Sequence, residues 1–331
     1  MNILTQDSYV IEHKDGKATI YNLPDGKKRV VINSQRYVPV ESCVTSYSDE
    51  LIRTTLEVQG LPYLAEAISR DEDPGFVQAE IESNLFAFCE PDSFKGKRLL
   101  DFGCGSGAST MCMGRMLPEV EIIGVELQAH LKRLAEARRV HHKLDNVRFL
   151  LSPSGTELPP DIGEFDFCMM SAVYEHLLPD ERQVTLSKVW EVLKPGGILF
   201  INQTPHRWFP VETHSSGLPL INYLPESLAF AAARKFSRVA PMQDHSSEKL
   251  LRGGIRGGTE FEIMRNIRKN SSFKPLLLKP RSGDRIDLWH SRLSPDYKTL
   301  KLGLKWAMKG VRLLTGQTLT QNLTLAIQKS S

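Results

Sequence analysis

Apolar residues along this chain first alternate in twos, then recur every three or four positions, and then switch between the two patterns. Tyr9-Val10-Ile11, Ala18-Thr19-Ile20-Tyr21 and Arg29-Val30-Val31-Ile32 are short apolar or β-branched runs. Lys14-Asp15-Gly16-Lys17 and Pro24-Asp25-Gly26-Lys27 separate them, and Asp-Gly between such runs signals a hairpin. Residues 1–45 therefore read as an antiparallel meander. Over residues 46–94 the period becomes helical. Leu51, Thr55 and Val58 share one face, while Phe76, Ala79, Ile81, Leu85 and Phe86 mark a second helix opened by Asp73-Pro74.

From residue 95 strands and helices alternate. Strands are predicted at Arg98–Asp101, Glu121–Glu126, Val147–Leu151, Phe165–Met170 and Gly197–Gln203, with helices at Ala129–His142 and Asp180–Leu193. Such alternation implies an α/β fold, a parallel sheet covered by helices, over residues 95–205. Residues 206–258 form an insertion rich in Pro and His, with a helix at Pro225–Phe236. It ends in Arg252-Gly253-Gly254-Ile255-Arg256-Gly257-Gly258, which reads as a mobile connector. In the last part, residues 259–331, Thr259-Glu260-Phe261-Glu262 is a capping box starting a helix to about Asn270, and strands are predicted at Phe273–Leu278 and Asn322–Ile327.

Composition narrows the class without deciding it. The 331 residues carry a formal charge of +3 and are 41% hydrophobic, which fits a globular protein and gives no footprint for nucleic acid. No apolar run approaches the roughly 18 residues of a membrane span, and Met1–Asp7 lacks the basic start and apolar core of a signal peptide. Cys43, Cys89, Cys104, Cys112 and Cys168 are scattered, with no CxxC pair. They read as reduced thiols, so a cytoplasmic location is expected and a structural metal is not.

The strongest chemical signal is the turn Asp101-Phe102-Gly103-Cys104-Gly105-Ser106-Gly107, between a strand and a helix start. Read on to Ala108, it satisfies the dinucleotide pattern G-x-G-x-x-G/A, with Glu126 as a downstream ribose acid, so an NAD(P)-dependent oxidoreductase is one reading. Charge favours another. A dinucleotide would set its pyrophosphate near the Asp101 carboxylate, whereas S-adenosylmethionine (SAM) brings an ammonium and a sulfonium and no phosphate. A third reading is a non-catalytic binding module, against which stand the intact glycines and both acids.

Leu99–Gly107, Ile122-Ile123-Gly124-Val125-Glu126, Phe165-Asp166-Phe167 with Ser171-Ala172-Val173-Tyr174-Glu175-His176-Leu177, and Leu193-Lys194-Pro195-Gly196-Gly197 follow in order. Together they resemble the motifs of the class I SAM-dependent methyltransferases, in the group that includes the ubiquinone-type enzymes. The resemblance implies a Rossmann-like sheet of order 3-2-1-4-5-7-6 with the last strand antiparallel. It implies SAM as cofactor, held by Asp101, Phe102, Gly103, Cys104, Gly105, Gly107, Glu126, Leu127, Ser154, Gly155 and Ser171, with Glu126 on the ribose hydroxyls. Ser154 stands where the family commonly has an acid toward the adenine, and a hydroxyl bonds more weakly there than a carboxylate.

Methylation at oxygen also requires that a proton leave the acceptor. Beyond the carboxyl ends of the predicted strands lie His176 and, in Pro205-His206-Arg207-Trp208-Phe209-Pro210-Val211-Glu212-Thr213-His214, the candidates Glu212 and His214. A metal held by Glu212, His214 and His206 has unfavourable spacing. The expected acceptor is a small molecule or a lipid- or glycan-linked one. Finally, Lys298, Lys301, Lys305, Lys309 and Arg312 form a cationic stripe opposite Leu300, Leu304, Ala307, Val311 and Leu314. The segment 297–314 reads as a surface helix with leucines on the core, or as a peripheral contact with anionic lipid.

Overall fold

Alternation dictates the first strands. In the computed structural model, which describes residues 7–238, 242–269, 271–293, 299 and 301–330, β1 (Ser8–His13), β2 (Gly16–Asn22) and β3 (Lys28–Ser34) form the expected meander. Ala18, Ile20, Val30 and Ile32 are buried, every second residue of their strands. A fourth strand, β4 (Ser42–Thr45), extends the sheet; at four residues it is too short to show a period. Compact contacts divide the chain into one unit of Met1–Glu82 with Cys104–Leu151 and another of Ser83–Gly103 with Ser152–Ser331, a division that cuts across the segments read from the sequence.

In the first unit the meander packs on helices α1 (Asp49–Gln59) and α2 (Leu64–Glu72); α3 (Ala79–Leu85) follows in the chain and runs past the end of that unit at Glu82. Ser48 caps α1 by accepting from the Leu51 N–H. The helix α2 was not predicted, because Gly60 and Pro62 break the pattern and the helix has only nine residues. A distorted turn at Pro74–Gln78 separates it from α3. Next come α4 (Ala108–Met116), β6 (Glu121–Glu126), α5 (Ala129–His142) and β7 (Val147–Leu151), the last three within their predicted bounds. Strands β6 and β7 are parallel.

The second unit begins with β5 (Arg98–Phe102) and continues with β8 (Phe165–Ser171), α6 (Pro179–Glu191) and β9 (Leu193–Pro205). In order, the strands run β10-β11-β9-β8-β5. Here β10 is Pro275–Leu277 and β11 is Asn322–Lys329; β5, β8 and β9 are parallel, and β11 is antiparallel to β9. With core strands numbered 1 to 7 along the chain, the two units contain the runs 3-2 and 1-4-5-7-6 of the expected Rossmann-like order. Helix α9 (Glu260–Lys269) starts at the predicted cap, where Thr259 Oγ1 accepts from the Glu262 N–H; Asn270, its predicted end, lies outside the described residues.

The insertion has a core of its own. Helices α7 (Glu226–Phe236) and α8 (Ser247–Arg252) bury Ala229, Phe230, Ala233 and Leu250 with Leu218, Ile221, Met242 and Ile255. The glycine-rich segment after α8 is therefore packed rather than a free connector, with Ile255 and Arg256 buried.

The cationic helix inverts both expectations. In α11 (Leu302–Thr315), Lys305 and Lys309 pair with Asp287, and Arg312 with Asp284, on and just before α10 (Arg285–Ser291). The cations face the fold, while Leu313, Leu314 and Trp306 are 88%, 87% and 63% exposed. Two acids on a neighbouring helix turned the stripe inward, a pairing that one helix's own periodicity does not encode. Residues 297, 298 and 300 of the segment lie outside the described residues.

One buried charge network ties the first unit together. Arg138 of α5, fully buried, donates to Tyr47 Oη, to the Ala67 carbonyl and to Ser106. Asp71, also buried, accepts from Tyr47, Arg115 and His142, with Arg138 at 3.8 Å. Burial pushes the Asp71 carboxyl upward, but the His142 hydrogen bond and the Arg138 charge outweigh it, leaving it well below the usual carboxylate range. Replacing Asp71 with Asn leaves two guanidiniums uncompensated and should cost about 3–5 kcal/mol. Since the folded pKa lies below the unfolded value of about 3.9, the ionised form stabilises the fold above that pH and the benefit fades as pH falls through the folded value. Thermal melts against pH should show the wild type losing stability below about pH 4 and Asp71→Asn losing much less there.

Candidate active site

The glycine turn is built by backbone hydrogen bonds and a single acid. In the first unit the Cys104 N–H donates to the Val125 carbonyl, and the Gly107 N–H to the Cys104 carbonyl, so the loop folds back over the end of β6. Glu126, buried at the tip of that strand, accepts from the Gly105 N–H at 2.9 Å through Oε2 and from the Leu127 and Gln128 N–H groups at 2.8 and 2.9 Å through Oε1. Three of the four lone-pair directions of the carboxylate are thereby used, and its orientation is set before any ligand arrives. Gly105 has φ +57°, and a Cβ there would meet no atom within 4 Å, so the turn presents bare backbone on that side. Ser106 is held from behind by Arg138 at 2.8 and 2.9 Å, a residue the sequence reading did not single out. Leu127 is half exposed, whereas Cys104 is buried.

The second unit carries the other cofactor candidates. Asp101 and Phe102 are buried at the end of β5, and Gly103 follows them. Ser171 ends β8 and is partly exposed. Ser154 and Gly155 lie in the loop after β7, which Ser152 organises by donating to the Ser154 carbonyl. The Ser154 hydroxyl donates to Glu157 Oε2 at 3.1 Å, so a carboxylate stands one hydrogen bond from the position where the family commonly has an acid.

The same unit gathers its titratable groups where β8 and β9 end. Glu175, on the turn after β8, is fully buried and accepts from Thr204 Oγ1 of β9 at 2.9 Å. His176 Nε2 lies 3.9 Å and His214 Nε2 4.0 Å from the other oxygen of Glu175, and the two imidazole centroids are 5.2 Å apart. Burial raises the Glu175 carboxyl against the opposing His176 charge. Burial, reinforced by His176, lowers the His214 imidazole. Gly254 closes over the cluster at φ +81°, where a Cβ would stand 2.6 Å from His214 Cδ2. This is why the glycine-rich segment is packed.

One expectation for this loop, an acceptor-side Glu212, comes out differently. Glu212 is buried and accepts from the His214, Ser215 and Ser216 N–H groups and from both serine hydroxyls. Its oxygens shape the loop that carries His214 rather than facing an acceptor. His206 is buried beside β11, accepts from the Trp208 N–H, and is pushed down to about 4 by burial. Trp208 stacks on Tyr223 at the surface of the insertion. Glu175 was quoted in the sequence only as part of a motif; its place between two histidines needed the fold.

Residues 99–197 match the methyltransferase-domain family. A carboxy-S-adenosyl-L-methionine synthase of Hydrogenovibrio crunogenus is 33% identical over 121 residues, 36% of this chain and 45% of that protein. A ubiquinone biosynthesis O-methyltransferase of Chelativorans is 30% identical over 38% of this chain and 53% of its own length. An (S)-coclaurine N-methyltransferase of Papaver somniferum is 29% identical over 60% and 61%. The chain thus spans less than two thirds of these relatives. Among solved structures, PKMT2 of Rickettsia typhi bound to AdoHcy aligns over 80% of this chain and 54% of its own, at 16% identity and a TM-score of 0.44. Residues 99–197 thus match a methyltransferase domain, whose cofactor is SAM rather than a nicotinamide.

In that family setting Glu126 is the residue to test. Glu126→Ala should weaken S-adenosylhomocysteine binding by about 1.5–3 kcal/mol, through loss of the carboxylate that shapes the glycine turn and of its remaining acceptor position. Titration calorimetry measures it, with NAD(H) as the ligand expected not to bind.

Proposed function

We propose that this chain transfers the methyl group of SAM to an oxygen of a small-molecule, lipid-linked or glycan-linked acceptor. The observation that carries the choice of oxygen is the Glu175–His176–His214 cluster at the ends of β8 and β9. An amine acceptor needs little more than alignment, whereas a hydroxyl must also lose a proton, and this cluster is placed to promote that loss. The sulfonium supplies the electrophilic methyl carbon.

Asp101, Phe102, Gly103, Cys104, Gly105, Gly107, Glu126, Leu127, Ser154, Gly155 and Ser171 are assigned to the cofactor. Support comes from the open face at Gly105 and the pre-oriented Glu126 carboxylate. Glu157, bonded to Ser154, joins the adenine side. His214 and His176 are assigned to the acceptor, and Glu212 positions His214 through the backbone of its loop.

A peripheral lipid contact of segment 297–314 enters this proposal in altered form. The outward residues Trp306, Leu313 and Leu314 support apolar insertion, whereas the cations are engaged with Asp284 and Asp287. Among the described residues no helix is long and apolar enough to cross a membrane. Co-sedimentation should therefore show capture by neutral vesicles that high salt does not reverse and that Leu313→Ser with Leu314→Ser abolishes. Binding confined to anionic vesicles at low salt would sink this form of the contact.

For the reaction itself, His214→Ala should leave S-adenosylhomocysteine affinity nearly intact and reduce turnover by roughly 10²–10⁴-fold. Release of S-adenosylhomocysteine from SAM across a panel of phenols, hydroxy acids and amines measures both the rate and the acceptor class. Turnover with amines alone contradicts the assignment to oxygen.

A further inference from the structure

The Glu175 carboxylate is only half satisfied. Oε2 takes the Thr204 hydrogen bond, but Oε1, shielded from solvent, has no hydrogen-bond partner. An unpaired oxygen on a buried carboxylate is costly, so a ligand for it is expected. His176 Nε2 and His214 Nε2, at 3.9 and 4.0 Å, are too far to hydrogen-bond it. Yet one ligand atom from each of the three residues lies within 4.8 Å of the other two.

We propose that Glu175, His176 and His214 together bind a divalent transition-metal ion of the Zn²⁺ type on the acceptor side of this domain. Ligand atoms about 2.0–2.1 Å from a tetrahedral zinc stand roughly 3.4 Å apart, so the two imidazole nitrogens, at 3.9 and 4.0 Å from Glu175 Oε1, must close on it by about half an ångström. The other nitrogen of His176 is already committed. Its Nδ1–H donates to the Arg252 carbonyl at 2.7 Å, which leaves the Nε2 lone pair directed at the ion, the outer hydrogen bond found on metal-bound imidazoles. Two imidazoles and one carboxylate favour Zn²⁺ and its first-row neighbours over Mg²⁺, which prefers oxygen.

The cluster Glu72, His141 and His142 also meets the distance condition, but its groups have partners. His142 Nε2 lies 2.8 Å from Asp71 and His141 Nε2 3.0 Å from Ser46, and the Glu72 carboxylate accepts from Thr45 and Ser46. Of these two clusters among the described residues, it is the Glu175 cluster that combines the spacing with an orphaned buried oxygen. Three protein ligands leave positions open, and the ligand class they take is an oxygen donor such as a phenol or hydroxy acid. That consequence rests on the methyl-transfer reading, in which the ion acidifies the acceptor hydroxyl and the imidazoles serve as ligands rather than bases. Binding of the ion does not rest on it.

The test uses the full chain after chelator treatment, titrated with Zn²⁺ alone by calorimetry and with Co²⁺ followed by visible absorption. One equivalent should bind, and His176→Ala and His214→Ala should each weaken it more than about tenfold, while His141→Ala should not. Thermal melts and S-adenosylhomocysteine titration of each variant separate a lost ligand from a lost fold. Absence of stoichiometric binding overturns the site, as does binding that His141→Ala weakens and His214→Ala leaves alone. If the ion binds as expected but no acceptor is methylated, the site stands and the methyl-transfer reading fails. Undiminished turnover by ion-free protein overturns the part given to the ion in activating the acceptor.

Discussion

The buried guanidinium of Arg138 is the contact on which the first unit depends. A charged group without solvent must find its hydrogen bonds and counter-charge inside the protein, and Arg138 finds them in three different segments. Tyr47 follows the meander, Ala67 and Asp71 lie in α2, and Ser106 belongs to the glycine turn. Each of these groups must be in place for the others to be satisfied, so the network couples the N-terminal sheet and helices to the shape of the turn. Here the N-terminal region is part of the support for the glycine turn rather than an appendage to it.

The second unit uses a buried carboxylate in a different way. Whereas Asp71 is surrounded by cations and donors, Glu175 has one hydroxyl donor and two imidazoles that stop short of it. Here burial raises the pKa by more than His176 and the other neighbours lower it, the reverse of the balance at Asp71. A carboxylate fully compensated holds a fold together; one left partly uncompensated at the ends of two parallel strands is a place for chemistry. The insertion supplies its side of this cluster by giving Glu212 to the loop, so that its five hydrogen bonds place His214.

Much of this was legible along the chain. The strands β6 and β7 and the helix α5 fell within their predicted limits because their apolar period is unbroken and their ends carry turn residues. The glycine turn was legible as a turn because only residues without a Cβ take up its left-handed backbone conformations easily. The misses have a common cause. Strand β4 and helix α2 are too short for a period to emerge, and Leu304 and Lys305 could not reveal which of them would face Asp287.

By itself, then, the sequence determined the alternation of elements, the match to a methyltransferase domain and the glycine turn, all of which depend on residues close together in the chain. Only the tertiary structure decided that Arg138 would brace Ser106, that the cations of α11 would turn inward, and that Glu175 would meet His214 across 39 positions of sequence. These are pairings of charges and polar groups between elements. A charge has no periodicity to announce its partner, and whether it faces water or another charge is settled when the elements pack.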